Sequence, residues 1–133
     1  MDGKPGQVYT LGYAVPGAME QVDQLMSDPR VLLVDIRYAA RSRWYPVWNK
    51  KSLQARWGVR YTHEQRLGNV NYKEREKPIQ LLDPDKSLDG AILQLRQGCS
   101  LLLLCACADY EICHRKVVAL LIAERMAAAR DAS

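Results

Sequence analysis

The chain reads as one small α/β domain: a mainly parallel sheet of about four strands, with helices on both sides in three layers. Three observations predict this. Residues 31–36 and 101–105 are nearly continuous apolar runs of strand length, as expected of strands buried on both faces. Segments with apolar residues at helical spacing fall between such runs. The 133 residues, 48% hydrophobic and 26% charged, suffice for one core and leave little room for a second.

Each element has a local cause. Val8, Tyr9, Thr10 and Leu11 form a short strand closed by Gly12. Pro16 opens a helix that places Ala18, Met19, Val22, Leu25 and Met26 on one side, and Asp28-Pro29 stops it. Residues 31–36 then complete a β-α-β unit, which crosses over right-handed. Residues 37–48 form a loop. Asn49 is placed to cap a helix that runs to Trp57 and ends at Gly58. Residues 59–62 read as a third short strand. The stretch 64–85 is polar, holds Pro78 and Pro84, and lacks periodicity, so it reads as a long loop. Ser87 is placed to cap a helix carrying Leu88, Ala91, Ile92 and Leu95, ended by Gly98. Residues 101–105 are the most hydrophobic and form the central strand. A last helix runs from Ile112 to about Ala128, with Val117, Val118, Leu120, Leu121 and Ala123 on a broad apolar face. Residues 1–6 and 127–133 read as loose ends.

The four cysteines, Cys99, Cys105, Cys107 and Cys113, lie within fifteen residues of one another and cannot cross-link distant parts of the fold. Free thiols and a cytoplasmic location are the expectation. The N-terminus has no signal-peptide pattern, and the apolar run 101–108 is too short to span a bilayer, so no membrane association is expected. A net charge of +4 favours anionic partners. Oligomeric state is not encoded in any pattern visible here.

In sheets of this kind ligands bind beyond the carboxyl ends of the strands. Four segments lie there: Gly12-Tyr13, residues 37–48, residues 63–68 and residues 108–115. Between Arg37 and His63 stand Arg37, Arg41, Arg43, Lys50, Lys51, Arg56 and Arg60, with no acidic residue. The same stretch holds every tryptophan (Trp44, Trp48 and Trp57) together with Tyr38, Tyr45 and Tyr61. Arginine forks match phosphate, and aromatic faces stack on bases. Arg37, Arg41 and Arg43, directly after a strand, are read as an anion site, with Ser42, Trp44 and Trp48 beside them. Lys50, Lys51, Arg56 and Arg60 divide evenly between that role and a solvated helix face.

A second cluster is Cys105, Cys107, Asp109, Glu111, Cys113, His114 and Arg115. Cys113, His114 and Arg115 are expected in the first turn of the last helix, where free N–H groups favour an anion. A thiol there is activated, so Cys113 is a candidate nucleophile beside His114 and Arg115. No cysteine has arginine six positions later, so the loop that wraps phosphate in Cys-x5-Arg enzymes is absent. Zinc would use Cys105, Cys107, Cys113 and His114 or His63, but no Cys-x2-Cys spacing exists, and no cofactor is expected. Cys99, Cys105 and Cys107 also suit a plain buried strand. Asp35 and Asp109 are candidate acid–base groups; an Asp35–Arg37 ion pair and an Asp109 cap explain them equally well.

The segments Val8-Tyr-Thr-Leu-Gly-Tyr13, Leu33-Val-Asp-Ile-Arg37, Ala40-Arg41-Ser42-Arg43, Trp48-Asn49, Gly58-Val59-Arg60-Tyr61, Leu67-Gly68, Leu104-Cys105 and Cys113-His114-Arg115 together resemble the domain-of-unknown-function family numbered 488. The resemblance spans nearly the whole chain. It implies a small α/β fold with motif positions at Gly12, Asp35, Arg37, Arg41, Ser42, Leu67, Gly68, Cys105, Cys113, His114 and Arg115, and it implies no activity. The chain departs from the pattern at Ala40 (usually proline), Asn69 (usually glycine) and Cys107 (usually acidic), which argues against Cys107 as a ligand shared by the family.

Two functional expectations follow. The first is binding of, or action on, a phosphate-bearing ligand, most simply nucleic acid or a nucleotide. Gly12, Tyr13, Arg37, Arg41, Ser42, Arg43, Trp44, Trp48 and Arg115 would form that site, and Asp35, Asp109 and His114 would serve any catalysis. The second is a thiol enzyme, rhodanese-like in logic, with Cys113 as nucleophile. A plain interaction domain is the third alternative, and whether the protein is an enzyme is left open.

Overall fold

A computed structural model describes the backbone of residues 4–132 and the side chains of residues 4–128. Its elements are β1 (Val8–Gly12), α1 (Ala18–Met26), β2 (Val31–Asp35), α2 (Lys50–Trp57), β3 (Tyr61–His63), α3 (Pro84–Arg96), β4 (Ser100–Cys105) and α4 (His114–Ala132). Short 3-10 turns precede α2, β3 and α4, and another follows β3. The four strands form one sheet in the order β1-β4-β2-β3, and every pairing is parallel. No helix among the described residues is long and apolar enough to cross a membrane.

The period of two along β4 sorts the core. Leu101, Leu103 and Cys105 point toward α3 and α4, where they meet Leu88, Ala91, Leu95, Val118 and Ile122. Leu102 and Leu104 point the other way, toward Ala18, Val22 and Met26 of α1 and Leu53 of α2. All four leucines are fully buried, each contributing about 1.5–3 kcal/mol of hydrophobic stabilisation. The helices therefore cover both faces in pairs, as the three-layer expectation required. Connections after β1 and β2 leave over one face, and the connection after β4 leaves over the other. The ends of β1, β4 and β2 thus form the place where the winding reverses and a crevice opens.

Several local expectations need correction. The third strand begins at Tyr61, because Gly58–Arg60 coil into a 3-10 turn that leaves Val59 98% exposed. The third helix starts at Pro84, a residue suited to a first turn, and not after Ser87. Ser87 instead donates its hydroxyl to Glu64 at 2.8 Å. Asn49 sits at the N-cap of α2, but its side chain gives that helix no cap. Cys113 lies outside the last helix in extended backbone, and α4 begins at His114. The helix continues through residues 127–132 to Ala132. In the other terminal stretch, Gly6 donates its N–H to the Leu95 carbonyl at 2.9 Å. Residues 1–3 and 133, also expected to be loose, lie outside the described part of the chain.

The long segment after β3 is folded back on itself. Asn69 and Leu81 form an antiparallel bridge, and the N–H of Val70 donates to Gln80 at 2.8 Å. The Asn69 side-chain oxygen accepts from the N–H groups of Asn71 and Gln80, bonds that a glycine there could not make. The segment rests on the loop after β2: Tyr72 stacks on Tyr38, and a Cβ at Gly68 would come within 2.6 Å of Tyr38 Cα.

Candidate functional site

At the end of β2, Asp35 and Arg37 point toward α1 and α2 and form a buried ion pair. Arg37 Nε donates to Asp35 Oδ1 at 2.8 Å and Nη2 to Oδ2 at 2.6 Å, a bidentate fork. The Tyr61 hydroxyl adds a bond to Asp35 Oδ2 at 2.5 Å. Arg37 Nη2 also donates to the Trp48 carbonyl at 2.6 Å, which ties the far end of the loop to its start. Tyr13 stacks on Trp48 at 5.0 Å, and the Arg37 guanidinium lies over the Tyr13 ring. His63 Nε2 meets the Arg37 carbonyl at 2.7 Å. Burial opposes the charge on Arg37, but the bonds to Asp35 and its negative charge outweigh that and raise the pKa of Arg37. Burial, then the Asp35 charge, push the Tyr61 phenol up, so it stays protonated as a donor.

Arg115 is also turned inward. Its guanidinium donates to Thr10 Oγ1 at 3.1 Å and to the carbonyls of Cys107 and Ala108 at 3.3 and 3.2 Å. These bonds bind the loop after β4 to β1. Gly12 lets that loop approach, since a Cβ there would fall 1.5 Å from the Cys107 carbonyl oxygen. Among the described residues, the buried nitrogens Arg37 Nη1 and Arg115 Nε have no hydrogen-bond partner.

The loop after β2 is pinned and outward-facing. Asn49 Oδ1 accepts from the N–H of Ser42 at 2.5 Å, and Ser42 Oγ accepts from the N–H of Tyr45 at 3.1 Å. Lys50 N–H donates to the Ala40 carbonyl at 2.9 Å. Held this way, the loop leaves Arg41, Arg43, Trp44 and Tyr45 exposed. Trp44 is 76% exposed, with the Arg43 guanidinium over its ring at 5.1 Å. Arg56 pairs with Asp23 at 2.7 Å, and Arg60 is occupied by the carbonyls of Met26, Asp28 and Val31. Among the described residues Arg41, Arg43, Lys50 and Lys51 make no ion pair.

On the opposite face of the sheet, Cys105 and Cys113 place their sulfurs 2.7 Å apart, both buried. His114 directs Nε2 to the Ile36 carbonyl at 2.6 Å and Nδ1 to Cys113 Sγ at 3.8 Å. Burial lowers the pKa of His114, keeping the ring neutral. Cys107, two residues after Cys105, is half-buried. Asp109 is exposed and accepts from the N–H of Glu111 at 2.9 Å, the capping role.

The anticipated site residues therefore separate into three groups, with Asp109 apart from all of them. Gly12, Tyr13, Asp35, Arg37, Trp48 and Arg115 form an internal frame. Arg41, Ser42, Arg43 and Trp44 belong to the presented loop. Cys113 and His114 belong to the thiol cluster, and Asp109 caps a turn. Sequence reasoning missed Tyr61 as the third member of the ion pair and Asn49 as the pin of the loop. The first follows from the β2–β3 register, Leu33 opposite Tyr61 and Asp35 opposite His63. The second is hidden because a cap position looks the same whether or not its side chain is used.

Two predictions follow. Asp35→Asn leaves a buried guanidinium without its counter-charge and lowers unfolding free energy by about 3–5 kcal/mol in urea titrations. Because the folded pKa of Tyr61 is raised, its contribution is complete below the ordinary tyrosine pKa of about 10 and is lost as pH rises further. Tyr61→Phe should therefore reduce the alkaline decline in stability measured against the wild type.

The family model described as Domain of unknown function DUF488 matches residues 18–122. No curated protein and no solved structure matches the chain. That span includes Asp35, Arg37, Trp48, Arg115 and the thiol cluster, with Gly12 and Tyr13 just before it, and the chain belongs to the DUF488 family.

Proposed function

We propose that the protein binds single-stranded nucleic acid through the loop and helix start spanning residues 41–51. The observation that carries this reading is the exposed ring of Trp44 with the Arg43 guanidinium over it, in a segment whose Arg41, Arg43, Lys50 and Lys51 make no ion pair among the described residues. A fixed loop that displays a large aromatic to water has paid for exposure that folding alone does not reward. Stacking on a base would cover Trp44, and arginines on either side suit the phosphates that flank a base.

Lys50 and Lys51 support the same reading. They occupy the first turn of α2, where the helix dipole is positive, and that turn has no acidic residue and no side-chain cap. Cations there are unfavourable by themselves, and a phosphate would relieve them. Catalysis has less support in the geometry. Asp35 is engaged by Arg37 and Tyr61, Asp109 is engaged as a cap, and His114 is buried.

The test is fluorescence anisotropy with labelled single-stranded DNA and RNA, duplex DNA and mononucleotides over a salt series. Single strands are expected to bind best. Trp44→Ala should cost about 1–3 kcal/mol of binding, the worth of one base–aromatic stack. Arg41→Ala and Arg43→Ala should each reduce the salt slope by about 0.7 for one phosphate contact on a single strand. Absence of binding at low salt to every one of these ligands overturns the reading.

A further inference from the structure

Cys105, Cys113 and His114 place one ligand atom each within 4.8 Å of one another, all three buried. They reach this point from different directions. Cys105 ends β4, Cys113 sits in the extended residue before α4, and His114 begins that helix. In sequence, seven residues and a turn separate Cys105 from Cys113, and no Cys-x2-Cys spacing marks the set; the fold brings three of the candidate ligands together and leaves Cys107 and His63 out.

The orientation of His114 is informative. Nε2 lies 2.6 Å from the Ile36 carbonyl, which can only accept, so Nε2 carries the proton. The lone pair is then on Nδ1, the atom 3.8 Å from Cys113 Sγ. An imidazole held by a backbone carbonyl on one nitrogen and open on the other has the arrangement found in metal-ligating histidines. Two thiol sulfurs and one imidazole nitrogen form a set suited to zinc, and a poor one for magnesium or calcium.

From this geometry we propose that Cys105, Cys113 and His114 bind a zinc ion, with the fourth coordination position on the side of Cys107. The two sulfurs stand 2.7 Å apart, whereas ligands at 2.3 Å on one tetrahedral zinc are about 3.8 Å apart. The thiol side chains must therefore turn apart by about 1 Å as the ion enters. Binding releases the protons of Cys105 and Cys113 to solvent, and the ion is neutralised by the two thiolates that result. Cys107, half-buried, follows Cys105 by two residues in the loop between β4 and α4. The site lies on the α3–α4 face, across the sheet from the ion-pair frame, and does not depend on nucleic-acid binding.

The experiment is titration of the reduced full-length protein with cobalt(II) under argon, followed by displacement with zinc(II). The expected result is one equivalent of cobalt with the intense visible bands of tetrahedral coordination and near-ultraviolet thiolate charge transfer, both abolished by zinc. Cys113→Ser should weaken binding by roughly 100-fold or more, beyond the loss typical of an outer partner. His114→Gln, whose amide can still donate to the Ile36 carbonyl, should weaken it comparably in protein that remains folded by circular dichroism. Cys99→Ser, which alters a residue before the opposite end of β4, should leave it unchanged. A wild-type spectrum that stays pale and octahedral overturns the proposal, as does tetrahedral binding that survives both Cys113→Ser and His114→Gln.

Discussion

The pair formed by Asp35 and Arg37 sets much of the architecture at the functional end of the sheet. Neither charge can be buried alone at an acceptable cost, and together they are stable only because their remaining hydrogen-bonding capacity is largely used. Tyr61 from β3 and the Trp48 carbonyl supply those further bonds. The pair therefore joins the end of β2 to β3 and to the far end of the following loop. With Tyr13 stacked on Trp48, it also reaches the exit of β1. This one cluster joins the exits of β1 and β2 to the start of β3, and Arg115 joins the loop after β4 to Thr10 of β1.

This division of labour explains why so many arginines occur in a chain of modest charge. Arg37, Arg60 and Arg115 use guanidinium forks to satisfy carbonyls and a carboxylate inside the protein. Arg41 and Arg43 sit on a loop that those internal contacts hold in place, and they remain open to solvent. Rigid support of an exposed, mixed cationic and aromatic segment is what preorganised binding requires, since less ordering entropy is lost when the ligand arrives. The alternation along β4 creates a second, separate polar cluster. Cys105 follows Leu101 and Leu103 onto the α3–α4 face, while the ion pair lies on the α1–α2 face. One sheet end thus carries two polar clusters, the ion pair on one face and the thiols on the other.

Much of the fold was legible because the core speaks through local pattern. The runs at β2 and β4, the helical spacing in α1 and α3, and glycines such as Gly58 and Gly98, both with positive φ, mark elements and their ends directly. The order β1-β4-β2-β3 was not legible, since it depends on which strands meet in space. The errors over helix caps have one cause: capping residues offer several local choices, and tertiary partners decide among them. Ser87 turned to Glu64 and Asn49 turned to Ser42, so neither served the helix it was placed to cap. For the site, the positions were legible and the roles were not. Arginines near one another in sequence look alike, and only the strand alternation that sends Arg37 inward distinguishes it from Arg41 and Arg43.

The central claim is that the internal frame presents the loop of residues 41–51 as the ligand-facing surface. Amide nitrogen–proton NMR spectra recorded while a short single-stranded oligonucleotide is added test it most directly. The account predicts shift changes concentrated in residues 41–51 and in the Trp44 indole, with the α3–α4 face undisturbed. Changes centred on α3 and α4, or spread evenly over the molecule, would contradict it.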